Sequence, residues 1–135
     1  GLHTRGEEEQ MFSHVMIGTN DLDKAKAFYD ALLGTLDVRP ARVDGHRVFY
    51  ITKTGVFSVS KPIDGKAATA ANGGTIGFAA SSPEQVDAWH KAGIAAGGTA
   101  IEDPPGIRQG SGAKLYLAYL RDLDGNKICA MHRMT

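Results

Sequence analysis

The chain has 135 residues, of which 42% are hydrophobic and 22% charged, and its 15 basic residues balance its 15 acidic ones. This length fits one domain, and the lack of a basic excess argues against binding to nucleic acid through charge. No apolar run reaches the roughly 18 residues that a membrane-spanning helix needs. The single cysteine, Cys129, excludes an intrachain disulfide. We therefore expect one domain with neither nucleic acid nor membrane as a partner.

The first ten residues are polar and include three consecutive glutamates, Glu7 to Glu9. They lack the apolar core of an export signal, so residues 1–10 are interpreted as a disordered leader or a cloning-derived extension. Since no export signal is visible and the cysteine is unpaired, we expect a cytoplasmic protein. The folded domain is then expected to span residues 11–133.

A strand, a helix and three further strands are predicted in the first half of the chain. Alternating residues predict the first strand at 12–18, and apolar residues at helical spacing follow it. Asp21 is a suitable N-cap for this helix, and Gly34 is expected to end it. Strand-like segments come next, at 36–43, 46–52 and 56–60. Asp44 and Gly45 predict a tight hairpin turn between the first two of these strands.

The second half repeats this order after a small, polar, turn-rich linker at residues 61–73. Residues 74–80 predict a strand, and Ser82 is expected to cap the second helix, with a proline directly after it. Strand-like segments follow at 99–102, 115–121 and 127–132. Laying Ile17 on Phe78 brings the strand and helix of both halves into register, which indicates two copies of one unit. The alternative is that two generic strand–helix units align by chance.

Period-two alternation assigns the two faces of the predicted strands. Apolar residues such as Val15, Ile17 and Phe78 are expected to pack under the helices. The opposite face, called the open face below, is expected to carry His14, Met16, Ser58, Thr75, Gly77, Cys129 and Met131. A sheet covered by helices on one side only must curl over itself or dimerise, and either arrangement can enclose a ligand cavity.

Two segments, FSHVMIGTNDLDKAKAFYDALLG near the start and YLRDLDGNKICAMH near the end, carry a further signal. They resemble the vicinal oxygen chelate superfamily, which includes glyoxalase I, extradiol dioxygenases, and fosfomycin and bleomycin resistance proteins. The resemblance implies an α+β fold of two tandem βαβββ modules, at about 11–60 and 74–133. These modules would form a curved, partly open sheet around a central cavity, with helices on the outer face. It also implies a homodimer.

The resemblance further implies where a divalent metal would be held. The superfamily uses one inward position on the first and last strand of each module, and those positions here are His14, Ser58, Thr75 and Cys129. His14 matches a common ligand and Cys129 replaces a glutamate, whereas Ser58 and Thr75 are not credible ligands. A catalytic metal usually needs about three ligands of His, Asp, Glu or Cys type. We therefore expect no metal and no other cofactor, unless a dimer partner or His132 supplies a third ligand.

Cys129 is open to two interpretations, since a free cysteine either packs as a small inert hydrophobe or reacts when a cation or imidazole lowers its pKa. Residues 103–113 (DPPGIRQGSGA) predict a glycine-rich loop that is too long for a simple strand connection. Arg108 in this loop would either hold a carboxylate or phosphate at the cavity mouth or be solvated. Tyr50 and Tyr116 would either offer hydroxyl groups to a ligand or fill the core. The candidate ligand-binding residues are His14, Met16, Tyr50, Ser58, Thr75, Arg108, Tyr116, Cys129 and Met131.

Three functions remain in competition. The first is a protein that binds a small anionic or polar organic ligand in the central cavity without the usual metal, like the drug-sequestering members of the superfamily. The alternative is a metal-dependent lyase, isomerase or dioxygenase with an atypical ligand set. The third is a homodimeric interaction module without a small-molecule ligand. We assign no catalytic residue from the sequence.

Overall fold

The computed structural model describes residues 9–110 and 112–134, so most of the predicted leader lies outside the described residues. The elements are β1 (Val15–Gly18), α1 (Leu22–Gly34), β2 (Arg42–Asp44), β3 (Arg47–Ile51), β4 (Val56–Ser60), β5 (Ile76–Ala79), α2 (Pro83–Ala95), β6 (Thr99–Gly110), β7 (Ala113–Arg121) and β8 (Lys127–Arg133). No helix in this part of the chain is long and apolar enough to cross a membrane.

The strands form two four-stranded sheets with the same topology, β1-β4-β3-β2 and β5-β8-β7-β6. In each sheet the first strand of the module pairs in parallel with the last, and the remaining pairs are antiparallel. Both sheets are open, and each belongs to one βαβββ unit. The predicted α+β fold with two such modules is therefore confirmed.

The helices begin at the predicted caps, but α1 is closed by a different residue from the one expected. The side chains of Asp21 and Ser82 accept hydrogen bonds from the backbone N–H groups three residues further on. Although α1 ends at Gly34, the left-handed residue of its closing turn is Asp37, with φ of 63°. The N–H of Val38 donates to the carbonyl of Leu33, and that of Asp37 to the carbonyl of Gly34, which is the Schellman pattern of helix closure.

The strand predicted at 36–43 is wrong for most of its length, because only Arg42–Asp44 pairs with β3. The backbone N–H groups before Arg42 are hydrogen-bonded elsewhere or absent. The N–H of Val38 closes the helix, Pro40 has no N–H to donate, and the N–H of Ala41 donates to Asp30 Oδ1 at 3.0 Å. The segment therefore cannot contribute the donors that a sheet ladder needs.

The loop predicted at 103–113 is also wrong, since β6 continues to Gly110 and pairs with β7 as far as Ala113. The pairing register shifts between Ile101 and Gly106, which marks an irregular bulge in β6. The glycine and proline residues of this segment therefore form a bulged strand, as these residue types often do near sheet edges.

One hydrophobic core joins the two modules. Its fully or nearly buried members are Ala25, Phe28, Tyr29, Leu32, Leu33, Val48, Tyr50, Phe57, Val59, Val86, Trp89, Ala118, Leu120, Ile128 and Ala130. The rings of Phe57 and Phe78, one from each sheet, meet edge to face at 5.1 Å. A Cβ atom at Gly93 of α2 would lie 2.3 Å from Leu120 Cδ1, so the helix packs closely on β7. The helix-covered faces of both sheets therefore meet in a common interior.

A buried carboxylate, Asp122, adds a polar connection between the modules. Tyr29 on α1 donates its hydroxyl hydrogen to Asp122 Oδ2 at 2.5 Å. The backbone amides of Asp124 and Asn126 donate to Oδ1, each at 2.9 Å, and Asn126 Nδ2 donates to the carbonyl of Gly18 at the end of β1. The β7–β8 turn is thus fixed to both α1 and β1.

Candidate functional site

The strand register defines an open face on each sheet, as the alternation predicted. In the first sheet Met16 lies beside Ser58, and Ser58 beside Phe49. In the second sheet Cys129 lies between Gly77 of β5 and Tyr119 of β7. Because the opposite faces meet in the common core, the two open faces point away from it.

The candidates on the first module differ in how available they are to a ligand. His14 is exposed one residue before β1, with its Nδ1 atom 2.8 Å from Ser13 Oγ. Met16 is 43% exposed and offers an apolar surface. Ser58 is fully buried, and its hydroxyl donates to the carbonyl of Val48 at 2.9 Å. The Ser58 hydroxyl hydrogen is therefore already used within the sheet.

The candidates on the second module surround Cys129. Thr75 is exposed one residue before β5, and Met131 is half-buried on β8. Cys129 is 8% exposed, and its Sγ atom lies 3.2 Å from the position that a Cβ atom would take at Gly77. Burial raises the pKa of the Cys129 thiol, so the structure favours the inert of its two interpretations over the reactive one.

Tyr50 and Tyr116 face the helices and not the open faces. The hydroxyl of Tyr50 donates to Asp30 Oδ1 at 2.8 Å on α1, and the residue is 1% exposed. The hydroxyl of Tyr116 donates to Asp87 Oδ1 at 2.8 Å on α2. Of the two roles considered for these tyrosines, the structure supports packing between sheet and helix.

The Arg108 guanidinium lies against the backbone of β6 and β7, a position that neither of the two roles considered for it anticipated. Its guanidinium donates to four backbone carbonyls, at 2.9 to 3.1 Å: those of Asp103, Pro104, Gly106 and Leu117. Three of these carbonyls belong to the bulged part of β6. Arg108 thus ties the bulged part of β6 to itself and to β7.

The residues at the superfamily's metal positions do not fit a divalent metal. His14 and Ser58 lie on one sheet and Thr75 and Cys129 on the other, and among residues 9–110 and 112–134 no group of three or more His, Cys, Asp or Glu side chains could hold a metal ion. Cys129 is 8% exposed on the second sheet. His132 lies on the helix-covered face, with Nδ1 3.0 Å from the carbonyl of Ala80.

The structure places three charged or polar residues beside Cys129 that the sequence interpretation missed. Lys127 forms an ion pair with Glu102, and its Nζ atom lies 4.9 Å from the centre of the Tyr119 ring. Lys127 and Cys129 are two residues apart on β8, so they share the open face. The alternation of faces along β8 would have placed Lys127 beside Cys129. No such alternation predicts the position of Glu102, because the register of β6 shifts at its bulge.

Two larger cavities lie outside this cluster. One, of about 650 Å³, is lined by residues 9–15 and 52–56. The other, of about 550 Å³, is a crevice between the modules that is lined by residues such as Val15, Leu36, Phe57 and Phe78. Ser58, Cys129 and Met131 line neither cavity, whereas His14 lines the first, and Tyr50 and Gly77 line the second.

Comparison with known families decides which group of proteins the chain belongs to. The family model described as the Glyoxalase/Bleomycin resistance protein/Dioxygenase superfamily matches residues 11–130. The chain belongs to this superfamily. Membership confirms the resemblance carried by the first strand and helix and by the DLDGN turn. A comparison with the curated proteins finds no match.

Solved structures of the superfamily share the fold over nearly the whole chain. A glyoxalase/bleomycin resistance protein from Albidiferax ferrireducens T118 is 61% identical, with a TM-score of 0.90, and the alignment covers 92% of this chain and 100% of that one. A putative glyoxalase from Bacillus halodurans is 21% identical, with a TM-score of 0.72 and coverage of 90% and 95%. A lactoylglutathione lyase from Agrobacterium tumefaciens is 19% identical, with a TM-score of 0.64 and coverage of 93% and 95%. The last two show likeness of fold alone.

Proposed function

We propose that this member of the superfamily binds a small organic ligand in a cavity lined by its open faces, without using a divalent metal. The observation that carries the proposal is the set of side chains at the four metal positions. Ser58 is buried and already hydrogen-bonded, Thr75 is a weak ligand, and Cys129 is only 8% exposed. Only His14 is an exposed side chain of the type that divalent metals favour.

We propose further that the binding cavity is completed in a homodimer. The two open faces of one chain point away from its core, so each needs another surface to enclose a ligand. β1 pairs only with β4, and β5 only with β8, among the described strands, so each leaves one edge unpaired. Native proteins protect unpaired strand edges, and one of the ways is to cover them with another surface. Met16 and Ile51, both more than 40% exposed, add apolar surface to the first open face.

Metal content and assembly are tested on protein purified without chelators. Elemental mass spectrometry is expected to find far less than one metal per chain, and light scattering after size exclusion is expected to give twice the chain mass. Zn, Mn, Ni or Fe near one per chain would favour the metal-dependent alternative. In that case His14→Ala should lower the metal content, while His46→Ala, which removes another exposed histidine, should not.

Ligand binding is tested by thermal shift with a panel of small organic compounds. Met16→Glu introduces a negative charge on the open face, which repels an anionic ligand, and is expected to abolish the shifts that the wild type shows. Ile94→Glu is the matched control, because Ile94 is 45% exposed against 43% for Met16 and lies on α2. Shifts that persist in Met16→Glu but disappear in Ile94→Glu would place the ligand elsewhere on the molecule.

A further inference from the structure

The open face of the second sheet carries a restrained positive charge, the ammonium group of Lys127, two residues before Cys129. Lys127 and Cys129 lie on one face of β8, separated by about 7 Å along the strand. The Lys127 ammonium is held from two sides, by the ion pair with Glu102 and by the face of the Tyr119 ring. Only 26% of the Lys127 side chain is exposed, so the position of the charge is restrained.

The Lys127 ammonium has more N–H groups than its ion pair with Glu102 uses. It carries three N–H groups, one of which is directed to Glu102, and it has no other acceptor among residues 9–110 and 112–134. Arg108 and Arg121 are also on this sheet, but their guanidinium groups donate to backbone carbonyls. Lys127 is therefore the cation near Cys129 with unused hydrogen-bonding capacity.

The surroundings of Lys127 suit an anion attached to an apolar body. Tyr119, Leu117 and Met131 lie side by side on the same open face through the β7–β8 register. Burial raises the pKa values of both the Tyr119 phenol and the Cys129 thiol, so both groups stay neutral near pH 7. The neighbours of the ammonium thus add no negative charge beyond that of Glu102.

Glu102 is held in an unusual backbone conformation. Its φ is 59°, in the left-handed region that non-glycine residues rarely adopt, and its carboxylate forms the ion pair with Lys127 across the intervening strand β7. Such strain tends to persist at functional sites. We propose that the Lys127 ammonium binds the carboxylate of a small aromatic or apolar carboxylic acid, with Glu102 as the counter-ion that the ligand displaces. This inference rests on the proposed function, because it names the ligand chemistry of the same open-face cavity.

The test uses salicylate, an aromatic carboxylate, and its neutral analogue salicylamide, titrated into the isotope-labelled full chain and followed by NMR. Salicylate is expected to shift the amide signals of Tyr119, Lys127 and Cys129. Lys127→Met should weaken its affinity at least tenfold, and Glu102→Gln should strengthen it severalfold, because the competing negative charge is lost. Lys114→Met removes another lysine from β7, on the opposite face, and should leave the affinity unchanged.

The opposite effects of the two substitutions separate ligand binding from a structural role. If the Glu102–Lys127 pair only stabilised the sheet, both substitutions would lower the stability and change the affinity in the same direction. Equal-sign effects, no effect of Lys127→Met, or no binding of salicylate would each overturn the inference. If salicylamide shifts the same amide signals and salicylate does not, the inference is overturned, but a ligand cavity at the open face is still supported. The metal measurement tests the proposed function separately.

Discussion

Removal of one hydroxyl group, in Tyr29→Phe, measures how strongly the polar connection couples the two modules. The ring keeps its contacts with Phe28 and Phe57, each at 5.0 Å between centroids, so no cavity forms. The loss is the hydrogen bond to the buried Asp122 carboxylate, and hydrogen bonds to charged groups contribute about 1.5–3 kcal/mol. Asp122 retains three other donors, from Asp124 and Asn126. We therefore expect Tyr29→Phe to lower the free energy of unfolding by about 2 kcal/mol, within the usual range.

Urea unfolding followed by circular dichroism measures this loss as a lower midpoint at an unchanged slope. The matched control is Tyr116→Phe, which removes the same group from an exposed bond to Asp87 and should cost about 0.5 kcal/mol or less, because water screens exposed interactions. With about 2.1 cal/mol/K of unfolding entropy per residue, the 2 kcal/mol lost in Tyr29→Phe corresponds to about 7 °C in Tm. Equal losses in the two variants would refute the argument that burial makes the Tyr29 bond stronger.

The same hydroxyl should also govern alkaline stability. Burial raises the pKa of Tyr29 well above its usual value, and the nearby Asp122 charge adds to the effect. A pKa that is higher in the folded than in the unfolded chain contributes stability that is present below pH of about 10 and is lost as the pH rises towards the folded value. The free energy of unfolding should therefore fall above pH 10, and it should fall less steeply in Tyr29→Phe. An equally steep fall in both proteins would contradict this assignment.

The remaining predictions concern three glycines and the cysteine. Gly34→Ala should raise the free energy of unfolding by about 0.5–1 kcal/mol, because nothing lies within 4 Å of the new Cβ atom. Gly45→Ala has the same space but a φ of +61°, so it should lower the free energy of unfolding by about 1–2 kcal/mol. Gly93→Ala should lower it by about 1–3 kcal/mol, because its Cβ atom would meet Leu120 at 2.3 Å; an unchanged urea midpoint would contradict the close packing. Iodoacetamide should alkylate Cys129 more slowly than glutathione at pH 7, since burial raises the pKa of the thiol, and a faster reaction would restore the reactive interpretation.

Sequence patterns predicted the elements that depend on neighbouring residues. Asp21 and Ser82 cap the two helices because a short polar side chain satisfies amides only three residues away. The faces of β1 and β8 followed from alternation, which a regular strand obeys. Gly34 illustrates the limit of this reasoning, because a glycine permits a left-handed turn without requiring one, and Asp37 takes that conformation.

Features that depend on distant contacts were not accessible from the sequence. The segment before β2 is not a strand because Ala41 donates to Asp30 on α1, a contact between residues that no local pattern links. Residues 103–110 belong to a strand that pairs with the distant β7, and Arg108 donates to the carbonyls of its bulge. Glu102 comes to Lys127 only through the shifted register at that bulge, so half of the proposed anion site was hidden.

The shared core means that the two modules are not independent folding units. The linker that joins them is held near its middle, where Asn20 and Ala68 exchange two hydrogen bonds, while Ile63 is 88% exposed. A chain cut beside Ile63 should therefore give two fragments that are each poorly folded alone but reassemble when mixed. The close packing around Gly93, where an added Cβ atom would lie 2.9 Å from Leu32 of the other module, makes that reassembly sensitive to a single methyl group.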